Sequence, residues 1–187
     1  MENPHHFTRL LPLVNDIDGT FVECGVYKGS SIGLYCNLAK QGLITKREIY
    51  GYDSFEGLPS PSKFDNNYKP GHCTWSRKGI DDLIGYYPDF VFNIVDGWFK
   101  DTLHTNPKVP IAILHLDVDV YQSYKECLEN LYQYVQPGGL IIFDEYNSPN
   151  DLQKWPGAKI AIDEFFDPLG IEIQNDLESG KAYVLKP

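Results

Sequence analysis

The sequence predicts an α/β fold built on a doubly wound, mostly parallel sheet, and three observations predict it. Short apolar runs alternate with stretches of helical periodicity along the 187 residues, the pattern of strands covered by helices on both faces. Each run read as a parallel strand finishes near a carboxylate. A glycine-bearing loop joins the first run to the first strongly periodic helix, where open parallel sheets place their ligands.

The elements follow in order. Thr20–Cys24 is the first strand and ends in the loop Gly25-Val26-Tyr27-Lys28-Gly29. Ser30 or Ser31 is placed to cap the next helix, whose Ile32, Tyr35, Cys36 and Ala39 share one face, with Gly42 near its end. Glu48–Tyr52 is the second strand, closed by Asp53. Residues 54–79 are rich in Pro, Gly and Ser; a connection of about 25 residues is long for a compact domain and reads as a lid or substrate loop. A short helix over 80–87, a strand over 90–95 ending at Asp96-Gly97-Trp98, and a strand over 111–116 ending at Asp117-Val118-Asp119 come next. Tyr124, Cys127, Leu128, Leu131 and Val135 line one helix face, and Pro137-Gly138-Gly139 stops that helix. Residues 140–143 form the fifth strand before Asp144-Glu145, 158–166 a further helix, and 171–174 with 182–185 a closing hairpin. The expected organisation is an N-terminal extension over 1–19 and one domain over 20–187.

Lys and Arg number 16 against 26 Asp and Glu, a net charge of −10. That balance argues against a nucleic-acid partner. No apolar run is long enough to span a bilayer, and the residues before the first strand do not read as a secretory signal. Cys24, Cys36, Cys73 and Cys127 form no CxxC pair and no zinc spacing, so they read as reduced thiols of a cytoplasmic protein, Cys36 and Cys127 as core residues.

The strand-end acids are Glu23, Asp53, Asp96, Asp117, Asp119, Asp144 and Glu145. Gathered at one sheet edge they repel one another and call for positive charge. The first loop, Glu23-x-Gly25-x-x-x-Gly29-Ser30-Ser31, lacks both the GxGxxG and the GxxxxGK[ST] spacings of phosphate-binding turns. Its glycines allow close backbone approach, and Glu23 suits an amine or sulfonium. Asp53 is placed for a ribose diol. S-adenosylmethionine, a cationic nucleoside, fits both. Asp117, Asp119, Asp144 and Glu145 offer hard oxygens suited to Mg²⁺, Mn²⁺ or Ca²⁺, with Asp119 the less certain ligand because strand alternation breaks at a strand end.

FVECGVYKGSSIGL, YGYDSFEGLPSP, GWFKDTL, LHLDVDVYQSYKECLENLY, PGGLIIFDEYN and GAKIAIDEFF resemble, in order, motifs of the macrocin O-methyltransferase family, S-adenosylmethionine-dependent enzymes that methylate sugar hydroxyls. The resemblance implies a class I methyltransferase fold with a seven-stranded sheet. It implies that Glu23, Gly25, Val26, Tyr27 and Gly29 form the methionine-binding turn, with Ser30 and Ser31 at the helix start beside it. It matches Asp53 to the ribose acid, Ser54 and Phe55 to the adenosine segment, and Asp96, Gly97 and Trp98 to the adenine contact. Asp117 matches a carboxylate that serves as metal ligand and as general base, and also borders the cofactor. Asp144 and Glu145 match a pair of metal-ligand acids that is more often Asp-Asp. Antibiotic-pathway members carry a longer N-terminal segment that covers substrate and helps form oligomers; about 19 residues precede the first strand here, which leaves a homo-oligomer open.

The expected chemistry is metal-assisted O-methylation of a vicinal diol on a sugar-bearing small molecule, with Asp117 taking the proton. Of the remaining candidates, His115 reads as a core histidine, and His5 and His6 as a mobile terminus. His72 is a candidate for facing substrate, Trp75 and Trp155 are exposed aromatics for stacking on a sugar, Trp98 packs near the cofactor, and Tyr121 touches substrate or opens its helix. The competing readings are a catechol-type O-methyltransferase, a nicotinamide-dependent reductase and a non-catalytic S-adenosylmethionine-binding protein.

Overall fold

The computed structural model describes residues 6–105 and 108–187. Seven strands make one sheet in the order β3-β2-β1-β4-β5-β7-β6: β1 Thr20–Cys24, β2 Ile49–Asp53, β3 Phe92–Asp96, β4 Ile111–Leu116, β5 Val135–Phe143, β6 Gln174–Asn175 and β7 Ala182–Leu185. β1 to β5 run parallel, and β7 pairs antiparallel with both β5 and β6. This is the sheet expected from the sequence. The helices are α1 Phe7–Leu10, α2 Ser30–Lys40, α3 Arg77–Ile84, α4 Phe99–Thr102, α5 Tyr121–Leu131, α6 Pro149–Lys154 and α7 Pro156–Phe166. None of them is long and apolar enough to cross a membrane.

Every residue of β1 and of β4 is buried, as expected of strands covered on both faces. Alternation splits their side chains between two cores. Val22, Cys24, Leu114, Leu116, Ile141 and Phe143 pack with Tyr124, Cys127 and Leu128 of α5 and Ala158, Ile162 and Phe166 of α7. Phe21, Ile49, Ile113, Leu140 and Ile142 pack with Ile32, Tyr35 and Cys36 of α2 on the other face.

Several boundaries differ from the sequence reading. The stretch before β1 is part of the body: Phe7, Leu10, Leu11 and Val14 are buried in the α2-side core, and His6 is 5% exposed rather than mobile. Arg9 of α1 pairs with Asp176 beyond β6, tying this segment to the hairpin. His5 lies outside the described residues. Gly29, not Ser30 or Ser31, holds the N-cap position of α2, at φ +73°, a left-handed conformation that favours glycine. Pro137-Gly138-Gly139 lies inside β5, because α5 ends at Leu131 and a 3₁₀ turn over Tyr132–Tyr134 leads straight into the strand; Gly138 N–H donates to the Lys186 carbonyl and Lys186 N–H to the Gly139 carbonyl. In the hairpin only Gln174 of the expected 171–174 strand is in the ladder, and β6 is Gln174–Asn175. α3 starts at Arg77, where the Ser76 hydroxyl accepts the Gly79 N–H.

Strand order fixes where a ligand can sit. The chain progresses outward from β1 through β2 to β3, then returns to β4 on the other side of β1, so the loops after β1 and β4 diverge at the sheet's carboxyl edge. The edge is tied together by backbone bonds: Gly25 N–H to the Tyr52 carbonyl, Asp117 N–H to the Cys24 carbonyl and Asp144 N–H to the Leu116 carbonyl.

Candidate active site

A cavity of about 690 Å³ opens over this edge, within the size range of small-molecule sites. Gly25, Tyr27, Asp53 and Ser54 line one end. Gly97 and Trp98 lie at the β3 end, and Asp117, Asp119, Asp144 and Glu145 line the β4–β5 end.

The β1–β2 end is shaped by close backbone packing. Gly25 sits at φ +85°, and a Cβ there would lie 1.8 Å from the Asp117 carbonyl oxygen, so no other residue fits without moving the Asp117 backbone. Asp53 Oδ2 accepts the Tyr27 N–H at 2.8 Å and Oδ1 accepts the Phe55 N–H at 2.7 Å. These bonds fix the carboxylate before any ligand arrives. Burial raises its pKa above the ordinary value, partly offset by those backbone N–H groups.

Seven of the expected cofactor residues do not line the cavity among the described residues: Glu23, Val26, Gly29, Ser30, Ser31, Phe55 and Asp96. Val26 is buried in the α2-side core, Gly29 and the serines shape the start of α2, and Asp96 is exposed to solvent. Glu23 is the instructive case. It is 1% exposed and pairs across the β1–β4 ladder with His115, Oε1 to Nδ1 at 2.8 Å. Its Oε1 is engaged inside the sheet, and its Oε2 is buried with no hydrogen-bond partner among the described residues. Burial raises Glu23. Burial pulls His115 down, but the hydrogen bond and charge of Glu23 outweigh it and the net shift is upward. His115 is the core histidine the sequence suggested, with a carboxylate partner.

At the β4–β5 end, one carboxylate oxygen each from Asp117, Asp144 and Glu145 lie within 4.8 Å of one another. β4 ends at Leu116, so the strand alternation that would align Asp117 with Asp119 has already stopped, and Asp119, at φ +58°, stands outside that trio. Burial and the Asp144 charge push Asp117 up to about 7. Burial pushes Asp119 up to about 6 against the pull of Lys154. Glu145 rises far above its ordinary value through burial and the Asp117 and Asp144 charges. Asp144 alone is lowered: burial works against it, but the Lys181 ammonium, 2.6 Å from Oδ1, prevails. Hard oxygens held this close and this poorly neutralised fit a divalent oxygen-loving cation.

Two positioning groups were not foreseen. The Tyr124 hydroxyl lies 2.7 Å from Glu145 Oε2 and 3.0 Å from the Leu116 carbonyl oxygen; its helical spacing had marked it only as core. Lys181 donates to the Asp144 carbonyl, and the pairing of Phe143 with Ala182 in the β5–β7 ladder puts it beside Asp144. That register was readable once the hairpin was placed.

The long loop is built rather than loose. Leu58 N–H donates to the His72 carbonyl and Gly71 N–H to the Leu58 carbonyl. Asp65 Oδ1 accepts the Tyr121 N–H at the start of α5, and Asn66 donates to the Gln153 and Lys154 carbonyls of α6. Leu58, Pro59, Ser60 and Cys73 of this loop line the cavity together with Lys154 and Trp155. Trp155 is 6% exposed, not a surface aromatic. His72 lines a smaller neighbouring cavity, and Trp75 packs on Tyr27 with Lys28 over both rings. Tyr121 opens α5, and its hydroxyl donates to Glu164 Oε2 at 2.6 Å.

The model of the family described as Macrocin-O-methyltransferase (TylF) matches residues 11–178. The demethyldecarbamoylnovobiocin O-methyltransferase of Streptomyces niveus is 30% identical over 161 residues, covering 81% of this chain and 59% of that protein. The 8-demethyl-8-(2,3-dimethoxy-alpha-L-rhamnosyl)-tetracenomycin-C 4'-O-methyltransferase of Streptomyces olivaceus is 33% identical over 153 residues, 72% of this chain and 55% of that protein. The chain thus spans somewhat over half the length of these curated relatives. The solved structure of the O-methyltransferase NovP superposes with a TM-score of 0.78 at 26% identity, over 97% of this chain and 78% of that one.

Proposed function

The chain belongs to the macrocin O-methyltransferase family, and from that premise we propose that it is an S-adenosylmethionine-dependent, divalent-metal-assisted methyltransferase acting on a hydroxyl of a sugar-bearing small molecule. The observation that carries this reading is the convergence of Asp117, Asp144 and Glu145 within 4.8 Å in a cavity whose other end holds Gly25 and the pre-fixed Asp53. The relatives named for novobiocin and tetracenomycin O-methylation support the acceptor class.

Bound S-adenosylmethionine supplies a methyl carbon on a sulfonium that leaves as a neutral thioether. A bound Mg²⁺ would supply Lewis acidity toward an acceptor hydroxyl, held by Asp117, Asp144 and Glu145. The remaining work falls to the chain's own side chains. Asp53, its oxygens ordered by Tyr27 and Phe55 N–H groups, takes hydrogen bonds from the ribose diol. Gly25 lets the backbone after β1 approach the cofactor, and Trp98 packs beside its base. Asp117, which lines the cavity beside Gly25, is the carboxylate placed to take the proton of the acceptor hydroxyl. Leu58, Pro59 and Trp155 restrict water at the acceptor end.

Incubation of the protein with S-adenosylmethionine, Mg²⁺ and a panel of nucleotide sugars and glycosides, read by mass spectrometry for the gain of one methyl group, tests the reading. Transfer that is lost in Asp117→Ala, with S-adenosylmethionine affinity retained, is expected. An Asp117→Ala protein as fast as the wild type would refute the assignment, and methylation confined to catechols would move the acceptor class.

A further inference from the structure

A second donor set lies beside the carboxylate trio. A ring nitrogen of His6, a ring nitrogen of His115 and a carboxylate oxygen of Asp144 lie within 4.8 Å of one another. We propose that His6, His115 and Asp144 form a separate cation position that takes a first-row transition ion such as Zn²⁺ or Co²⁺ in preference to Mg²⁺.

His115 carries the argument. Its Nδ1 is held by Glu23 Oε1 at 2.8 Å, which fixes the ring's orientation. Its Nε2 is buried with no hydrogen-bond partner among the described residues, in a side chain 1% exposed. A buried ring nitrogen left unsatisfied is a standing penalty, and an ion would relieve it. A carboxylate bonded to one ring nitrogen while the other faces a ligand atom is the arrangement that orients metal-binding histidines. Phe7 packs edge-on against both His6 and His115, giving the position the apolar surround that strengthens ligand bonds.

The donors differ in kind from those of the trio. Two imidazoles with one carboxylate suit Zn²⁺, Co²⁺, Ni²⁺ or Fe²⁺, whereas three carboxylates suit Mg²⁺, Mn²⁺ or Ca²⁺. Ligand atoms around a tetrahedral ion at about 2.1 Å stand roughly 3.4 Å apart, so closing the set takes side-chain movement of little more than an ångström. Asp144 lines the cavity and gives the ion an entry. Lys181 holds Asp144 Oδ1 and orients this carboxylate. Because Asp144 belongs to both sets, an ion at one position draws on a carboxylate of the other.

The test uses tag-free, metal-stripped full-length protein titrated with Co²⁺ and followed by visible absorption. Imidazole ligation in a four- or five-coordinate site gives intense d–d bands; an all-oxygen octahedral site gives a pale spectrum. The expected result is intense bands that persist in Asp117→Asn. His6→Gln, a position outside every strand of the sheet, should lose them with at least a tenfold drop in Co²⁺ affinity. His115→Gln should do the same, and Glu23→Gln should weaken affinity by about 10- to 100-fold. Mg²⁺ affinity of His6→Gln, by calorimetry, should stay within twofold of wild type. A pale spectrum, or bands lost in Asp117→Asn and kept in His6→Gln, overturns the proposal by placing the ion in the carboxylate trio. Failure of Mg²⁺ to bind the wild type would strike the proposed function and leave this result standing.

Discussion

Replacing Asp117 by Asn should stabilise the protein while abolishing methyl transfer. The folded chain holds the Asp117 proton up to about pH 7 against an ordinary value of 3.8, so between those limits the folded state binds more protons than the unfolded one. Stability therefore falls as pH rises through that window, and the full penalty is present above it. About three pKa units correspond to ~4 kcal/mol as an upper limit. Asp117 lines an open cavity, where water relaxes part of the field, so about 2 kcal/mol is the expected gain for Asp117→Asn at pH 8. For a chain of this length that is a rise of about 4–8 °C in Tm. Paired thermal melts of both proteins at pH 8, 6 and 4 measure it: the gap should be widest at pH 8 and vanish by pH 4. Millimolar Mg²⁺ at pH 8 should narrow it by raising the wild type alone. A variant less stable than wild type at pH 8, or a gap indifferent to pH, would refute the idea that uncompensated charge is stored at this edge.

Two further substitutions probe the same construction. Gly25→Ala puts a Cβ 1.8 Å from the Asp117 carbonyl oxygen at φ +85°; a loss of at least ~2 kcal/mol in urea unfolding is expected, together with weakened S-adenosylmethionine binding by calorimetry, and a variant that unfolds and binds like wild type would show that the two loops are not in contact. Tyr124→Phe removes the hydroxyl that contacts Glu145 Oε2 and the Leu116 carbonyl oxygen; the expected loss is about 1–3 kcal/mol, with Mg²⁺ affinity down roughly 10- to 100-fold and the far-UV spectrum unchanged.

The parallel strands were legible because burial on both faces writes them as near-continuous apolar runs, and the trio was legible because a parallel sheet delivers every strand's end to the same edge. Glu23 shows where that logic stops. One residue short of the end of β1, it is still inside the ladder, where one of its oxygens meets His115. The sequence places an acid near an edge; it does not say whether the side chain points over the edge or into the adjacent strand. The N-terminal segment failed for a different reason. Phe7, Leu10, Leu11 and Val14 have i, i+3, i+4, i+7 spacing, a readable helical stripe, but with about two turns and no cap signal it carries too little helix propensity to stand without the core it packs on. α6 carried the signature Ser148-Pro149 with Asp151, where the Ser148 hydroxyl accepts the Asp151 N–H and Pro149 takes the first turn; six residues gave no periodicity to support it.

Position 145 holds Glu where the family resemblance leads one to expect Asp, and the structure shows what the longer side chain reaches. Glu145 Oε2 accepts the Asp119 N–H at 3.1 Å and lies 2.7 Å from the Tyr124 hydroxyl, which itself accepts the Glu145 N–H at 3.3 Å. A longer side chain has one more rotatable bond to order, and these contacts order it. Asp119, outside the trio, therefore serves it through its backbone: the left-handed turn at φ +58° aims the N–H at Glu145. The acid pair after β5 is held by a tyrosine one turn into α5 and by a left-handed residue after β4, so Asp119, Tyr124 and Glu145 form one connected hydrogen-bonded group beside Asp117 and Asp144. Changing Glu145 alone would free a hydroxyl and an N–H in a buried setting, and the proposed cation site would lose its geometry as well as a ligand.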